Sequence, residues 1–353
     1  MDWEKRLDQK LAADLPDLKI LPDEPLKRYT SFRTGGPARR MAFPVRTEQF
    51  HQLMKMAREC GITPCVIGNG TNLLVPDEGI DGLVITTREL RHMTDGVSYQ
   101  ASGGTLSGKL SHGTEHDAQN STEYDAQDDA EHDIPAQDDA ENYILAQAGC
   151  LLRRVAEFAC ERGLNGFAFA HGIPGTLGGA VCMNAGAYGG EMSQVVQGAE
   201  ILFPDEIRYV SVEELHFGYR HSLLTEHPEA VVLCAVLRLQ PGDPAEIRAQ
   251  MKDLMERRRR SQPLEFPSAG STFKRPPGHF AGTLIEQCGL KGLQIGGARV
   301  SDKHAGFIIN TGDALSADVT ALIAEVQKRV LEQTGVALEP EVKILPSRLP
   351  VSR

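Results

Sequence analysis

The 353-residue chain has no C-x-x-C pair, a single tryptophan, and no stretch approaching the roughly 18 uninterrupted apolar residues of a membrane helix. The missing apolar run argues against membrane insertion. The missing thiol pair argues against a zinc ribbon or dithiol redox centre. Its seven cysteines (Cys60, Cys65, Cys150, Cys160, Cys182, Cys234 and Cys288) are odd in number, scattered and set in apolar surroundings, as expected of core thiols in a reducing compartment. The opening MDWEKRLDQKLAADLPDLKI carries charges throughout and has no apolar h-region. That pattern predicts no secretory signal and a cytoplasmic location. Two nucleotide-binding fingerprints are absent as well. Gly68 and Gly70 are followed by Thr71, Asn72 and Leu73 with no third glycine, and GxxxxGK[ST] does not occur. A dinucleotide bound here would not lie on a Rossmann fold, and a kinase or ATPase phosphate loop is not indicated.

Basic residues are missing from one long segment. Residues 111–142 contain 11 acidic residues and no Lys or Arg, so the remaining 48 − 11 = 37 acidic residues balance the 37 basic ones. The net charge of −11 therefore belongs to an insertion. Within it YDAQDDAEHD and IPAQDDAENY are near-copies. Dense like charge with almost no apolar surface cannot pay for folding alone. His112, His116 and His132 beside carboxylates have metal-ligand chemistry, but a solvated, self-repelling loop is the favoured reading, and no metal is expected. The flanks GVSYQASG and NYILAQAG both look like strands, which places the insertion at the tip of a hairpin between them. The run ERRRRSQP is too short to indicate a nucleic-acid partner and suits the C-terminal end of a helix dipole.

The rest has an ordinary globular composition, 41% hydrophobic and 24% charged. EQFHQLMKMARECG and LLRRVAEFACERG have apolar residues at helical spacing and stop at Gly61 and Gly163. CVIG, NLLV, GLVITT, GAEILFP, IRYVSVEEL and AVVLCAVLRLQ read as strands. DPAEIRAQMKDLMERRRRSQP reads as a charged helix able to link two domains, and SADVTALIAEVQKRVLEQTG as a final helix. Without regular βαβ alternation, this is an α+β chain. Two glycine clusters stand out. Gly68-Asn69-Gly70-Thr71-Asn72 interrupts two apolar runs with more small polar residues than the roughly two a hairpin needs. Such a loop forms either a longer hairpin or a nest of backbone N–H groups for an anion. HGIPGTLGGAVCMNAGAYGGE, from His171, lets backbone approach a flat ligand or lets a helix and strand pack closely.

Seven blocks in order, YTSFRTGGPA, VIGNGTNLLV, GIPGTLGGAVCMNAGAYGGE, FGYRHSLL, QPLEFPSAGSTFKRPPG, AGTLIEQCGLKGLQIGGARVSDKHAGFIINTG and LEPEVKILP, cover nearly the whole chain. They resemble the UDP-N-acetylenolpyruvoylglucosamine reductase (MurB) family. The resemblance implies a two-subdomain PCMH-type FAD-binding fold, of the vanillyl-alcohol-oxidase kind, plus a C-terminal α+β substrate-binding domain. The implied division is 1–88 and 89–240 for the FAD-binding subdomains, the second carrying the insertion at about 111–142, and 241–353 for substrate. Only 51 positions separate Arg220 from Ser271, which resembles the family's shorter form. Thr71 stands where the family usually has serine, and Gly306 replaces a common asparagine.

The implied activity is NADPH-dependent, FAD-mediated reduction of UDP-N-acetylglucosamine enolpyruvate to UDP-N-acetylmuramate for peptidoglycan precursors. The alternative is another flavin oxidoreductase on the same fold. By resemblance, Arg220 and Glu341 act on the charge that develops beside the substrate carboxylate, and Ser271 gives a proton to carbon. Chemistry favours such roles: a permanently charged guanidinium fork suits a carboxylate, and an enolate-like carbon is basic enough to take a serine proton. Non-covalent FAD contacts are expected from Arg33, Gly68, Asn69, Gly70, Thr71, Asn72, Gly172, Ile173, Pro174, Gly175, Thr176, Gly179, Asn184, Ala185 and Gly186. Substrate contacts are expected from Tyr219, Arg260, Gln262, Lys274, Arg275 and His304. The expected partner is a UDP-sugar, with no nucleic acid, and the chain is expected to act as a monomer. Replacing residues 115–141 by a short Gly/Asn turn should leave flavin content and reductase turnover close to the parent's. A large loss of either would show that the insertion serves the site.

Overall fold

The computed structural model describes residues 3–95, 97–102, 105–110, 142–204 and 206–349. The chain divides into two units, one of Met1–Pro44, Glu48–Thr86 and Glu256–Arg353, the other of Val45–Thr47 and Thr87–Met255. The boundary at Met255 falls inside the helix Pro244–Ser261, the charged segment read as a link.

In the first unit the strands Lys19–Pro25, Pro37–Phe43, Ile80–Thr86 and Cys65–Ile67 form a sheet in that order. The first pair is antiparallel and the other two are parallel. Parallel pairing with both faces covered explains why Gly82–Thr86 is one unbroken buried run. In the helix Thr47–Glu59, Phe50, Leu53, Met54 and Ala57 are buried at the expected i, i+3, i+4, i+7 spacing. A second core gathers the helices Ala281–Gln287 and Ser316–Thr334 with the antiparallel strands Gln294–Ile295, Ala298–Val300 and Ile308–Asn310. Val319, Leu322, Ile323, Val326 and Val330 form the apolar stripe of the long helix, and Gly335, at φ +71°, ends it.

Two long-range polar contacts attach this second core to the N-terminal segment. Asn310 Nδ2 donates to the Phe32 carbonyl at 2.9 Å. The Asp77 carboxylate accepts the N–H groups of Ser316 at 2.8 Å and Ala317 at 3.0 Å. Asp77 thus satisfies two of the unpaired donors at the start of a helix some 240 residues further along the chain.

The second unit is built on an antiparallel sheet with strand order Ile207–Ser211, Val196–Leu202, Val231–Arg238, Tyr143–Gln147 and Met93–Asp95. Val231–Leu237 is buried throughout because the strand is central and the helix Leu177–Cys182 lies against it. The helix Leu152–Glu161 buries Leu152, Val155, Ala156, Ala159 and Cys160 into the same core.

The expected hairpin between the two flanks of the insertion is not what forms. Val97–Ser102 pairs with Thr105–Leu110, whereas Tyr143–Gln147 pairs with Val231–Arg238 and Met93–Asp95. The reason lies in burial. Ile144 and Ala146 are fully buried on one face and Tyr143 on the other, so this strand belongs inside the sheet. From residue 111 to 141 the insertion lies outside the described residues, and so do His112, His116 and His132.

Removing both acceptors with Asp77→Ala should cost about 1–2 kcal/mol, as loss of a helix N-cap usually does. Asp77→Asn, which keeps one acceptor oxygen, should cost less. Urea unfolding should show a lowered midpoint with unchanged slope; a midpoint equal to the parent's in Asp77→Ala would refute the capping role.

Candidate functional site

The loop Gly68–Asn72 is not a hairpin. The strand before it, Cys65–Ile67, pairs parallel with Ile80–Thr86, whereas the strand after it, Leu73–Leu74, pairs parallel with Lys343–Ile344. The loop therefore passes from one sheet to another and keeps its own shape through contacts with the YTSFR segment. The Ser31 N–H donates to the Gly70 carbonyl at 3.1 Å. Gly70 sits at φ +60°, and a Cβ there would stand 2.0 Å from the Tyr29 carbonyl oxygen, so no other residue fits without moving that segment. Among the described residues, no acceptor is hydrogen-bonded to the N–H of Gly70 or Thr71. Arg33, exposed and at φ +57°, follows directly. The neighbouring Cys65 thiol is pushed up to about 11 by burial, so it remains protonated and is no nucleophile at neutral pH.

Ser271 and Glu341, 70 residues apart in sequence, are joined through Thr272. The Glu341 N–H donates to the Thr272 carbonyl at 2.8 Å, and the Thr272 N–H donates to the Gly306 carbonyl at 2.8 Å. The Thr272 hydroxyl accepts the Ile308 N–H at 3.0 Å. On its other edge the same segment meets the glycine loop: Asn72 Nδ2 donates to the Glu341 carbonyl at 3.0 Å, and the Lys343 N–H to the Asn72 carbonyl at 2.9 Å. Gly306 also fixes His304, because its N–H donates to Nδ1 at 3.1 Å. A neutral ring must then carry its proton on Nε2, and burial, the largest effect, lowers the His304 pKa and favours that neutral form. A Cβ on residue 306 would lie 3.1 Å from the His304 ring, so the glycine leaves the ring its place.

Of the expected substrate residues in this unit, Lys274 joins the same segment twice. Its N–H donates to the Glu339 carbonyl, and its ammonium pairs with the Glu339 carboxylate. Two others are turned to local partners. Arg260 is exposed and faces Glu256 on its own helix at 3.8 Å, and the Arg275 guanidinium lies 4.4 Å over the exposed Phe280 ring.

In the second unit the HGIPGT segment leads into the helix Leu177–Cys182, with Thr176 buried at its N-cap. Gly172, Ile173 and Gly175 are partly exposed, and Pro174 and Gly179 are exposed. Asn184, buried and at φ +43°, uses its side chain inside the protein. Its amide donates to Glu191 Oε1 at 3.1 Å and to the Gly218 carbonyl at 3.0 Å, and its oxygen accepts the Ser193 N–H at 2.9 Å. That Gly218 contact holds one end of the turn bearing Tyr219 and Arg220. The other end is held by Ser222, whose buried hydroxyl donates to the Cys182 carbonyl at 2.7 Å. Between them Arg220 adopts φ +55° and directs Nη2 towards the Gly186 carbonyl at 3.5 Å. Its guanidinium lies 5.2 Å from the Tyr219 ring, which is exposed. Asn184 thus orients the arginine turn, a task that its place in a glycine-rich run does not reveal.

Among the described residues, the buried polar atoms without a hydrogen-bond partner include Thr34 Oγ1, His171 Nδ1, Thr176 Oγ1, Gln262 Oε1 and Arg299 Nε. Burying such an atom unpaired costs about 1–3 kcal/mol, so each calls for an explanation. Thr34 and His171 were not singled out by the sequence, although each adjoins an expected residue. Burial lowers the His171 pKa, opposed in part by the Glu157 carboxylate. Among the described residues, no helix is long and apolar enough to cross a membrane.

Residues 262–345 match the model of the UDP-N-acetylenolpyruvoylglucosamine reductase C-terminal domain, and residues 130–208 match that of an FAD binding domain. The UDP-N-acetylenolpyruvoylglucosamine reductase of Agathobacter rectalis is 45% identical over 338 residues, covering 96% of this chain and 97% of that protein. That of Caldanaerobacter subterraneus is 43% identical, with 95% and 97% covered. The crystal structure of the Thermus caldophilus reductase superposes with a TM-score of 0.69 at 31% identity, covering 94% of this chain and 99% of that one. With the α+β content described above, these matches fit a PCMH-type FAD-binding fold. The chain belongs to the UDP-N-acetylenolpyruvoylglucosamine reductase family.

Proposed function

We propose that this chain reduces UDP-N-acetylglucosamine enolpyruvate to UDP-N-acetylmuramate, with NADPH as hydride donor and non-covalent FAD as carrier. The observation that carries this reading is that Thr272, the neighbour of Ser271, and Asn72 of the glycine loop are both hydrogen-bonded to Glu341. Residues that the family resemblance assigns to proton transfer, charge stabilisation and cofactor binding are thereby tied to one short segment. The domain roles follow the same reading, with 1–88 and 89–240 for FAD and 241–353 for substrate. The partner on this reading is a small UDP-sugar, the balance of charge outside residues 111–142 argues against nucleic acid, and the scattered cysteines fit a reducing cytoplasm; the chain is proposed to act as a monomer.

The residues present fit the cofactor. Thr176 Oγ1 and Thr34 Oγ1 are buried donors without partners, and the Gly70 and Thr71 N–H groups are suited to phosphate oxygens. FAD, when bound, supplies hydride carriage from NADPH to the distal vinyl carbon of the substrate. Ser271 then gives its hydroxyl proton to the neighbouring carbon, so that the double bond gains one hydride and one proton. Arg220 is assigned to the carboxylate, where negative charge grows during the reaction, and a fixed cation would stabilise that charge without reorganising. Glu341 is assigned to act with Arg220 on that developing charge. Lys274, Gln262, Arg260, Arg275, His304 and Tyr219 are assigned to the UDP-sugar.

Two measurements test this. Thr176→Val removes a hydroxyl that bonds to nothing in the protein, so the apoprotein should be as stable as the parent or slightly more so. Flavin should nevertheless be retained more weakly, and equal flavin affinity by titration would remove Thr176 from the cofactor site. Ser271→Ala should be yellow and bleached by NADPH at near-parent rate. Its reoxidation by the enolpyruvyl substrate should slow by about 10²–10⁴-fold, as loss of a positioned proton donor does. Stopped-flow absorbance separates the halves, and unimpaired reoxidation would exclude Ser271 as the donor.

A further inference from the structure

We infer that Thr272 is a positioning residue for proton transfer, holding Ser271 in register with Glu341. The inference rests on the reading of Ser271 as proton donor. Thr272 is 1% exposed, so it cannot itself meet substrate as Ser271 does. Every polar group it owns is nonetheless committed. Its N–H donates to Gly306, its carbonyl accepts from Glu341, and its hydroxyl accepts from the Ile308 N–H at 3.0 Å. Two separate stretches of chain, residues 306–308 and the segment bearing Glu341, therefore meet on one residue, and Ser271 is the next residue along.

The hydroxyl is the part that sequence can change without disturbing the other two bonds. It pins Thr272 to the start of the strand Ile308–Asn310, a second bond to the stretch that the Thr272 N–H already meets at Gly306, while the Thr272 carbonyl holds Glu341. Without it, a single bond, to the Gly306 carbonyl, holds Thr272 to this stretch and lets the residue pivot, and Ser271 is exposed and preceded by Gly270 at φ +75°. Glycine imposes no side-chain restraint on that turn. A displacement on the order of 1 Å at a reacting group can cost about 10²-fold in rate. A methyl group in place of the hydroxyl keeps volume and burial, whereas serine keeps the hydroxyl and loses only a methyl.

The test compares Thr272→Val, Thr272→Ser and Ser271→Ala in the flavin-loaded full chain, with each half-reaction followed by stopped flow. Thr272→Val should be reduced by NADPH within about twofold of the parent, yet be reoxidised by UDP-N-acetylglucosamine enolpyruvate about 10–10²-fold more slowly. Thr272→Ser should restore reoxidation to within about threefold of the parent's rate, because the bond to Ile308 is kept. Added to Ser271→Ala, the valine change should cause little further loss, since it acts through a group already removed. If Thr272→Val does not fold, Thr272→Ala, which leaves space for a water at the Ile308 N–H, should show the same split. Parent-like reoxidation in Thr272→Val, equal slowing of both halves, or failure of serine to rescue would each overturn the inference. The underlying reading fails separately: Ser271→Ala would then reoxidise at the parent's rate.

Discussion

The segment Glu339–Leu345 is hydrogen-bonded along both edges, and the site residues of the first unit depend on it. On one side the Lys274 N–H reaches Glu339 and the Glu341 N–H reaches Thr272; on the other, Lys343 and Leu345 donate to Asn72 and Leu74. A parallel pairing only two residues long is weak by itself. Burial makes it hold: Leu74, Phe273, Leu338 and Val342 are all at most 4% exposed and exclude water from the bonds between them. The ends that meet are 269 residues apart. Closing a loop that long costs little more than closing one half its length, about 0.6 kcal/mol per doubling, so the late arrival of this segment is a problem of folding rate more than of stability.

In the second unit the equivalent constraint is strain. Arg220 and Asn184 both occupy positive φ, which for residues other than glycine costs about 1–3 kcal/mol each when the surroundings enforce it. The surroundings do enforce it, through buried hydrogen bonds from Asn184 to Gly218 and from Ser222 to Cys182. A guanidinium held this way loses less rotational freedom on meeting a carboxylate, which is the usual benefit of preorganisation. Asn184, expected among the cofactor contacts, thus spends its side chain on the geometry of a different residue.

The unpartnered atoms complete the picture. Thr176 occupies a helix N-cap, the place where a threonine hydroxyl normally accepts a backbone N–H, yet it makes no such bond. Thr34 Oγ1 and Gln262 Oε1 likewise have no partner. Folding alone would favour apolar groups at these places, and the FAD and UDP-sugar proposed above would supply the missing bonds.

Local chemistry determined a good deal. Helical spacing in 47–59 and 316–334, the αL glycines at 61, 163 and 335, and the strands 196–202 and 231–238 were legible because each rests on short-range periodicity or on a backbone conformation that few residues adopt. The family was legible because seven blocks stand in order along the chain. What the sequence could not contain was the choice of partner. CVIG and NLLV read as the two arms of one hairpin or as neighbours across an anion loop. Only tertiary structure sent them to different sheets, because Cys65–Ile67 found its partner in the buried strand Ile80–Thr86 and Leu73–Leu74 found its partner in Lys343–Ile344. The flank Tyr143–Gln147 went to the sheet interior for the same reason, since both its faces are apolar. Nor does any local signal distinguish Thr272 from other threonines. Its role exists only where Gly306, Ile308 and Glu341 converge on it, and convergence of distant segments is a property of packing that no spacing along the chain encodes.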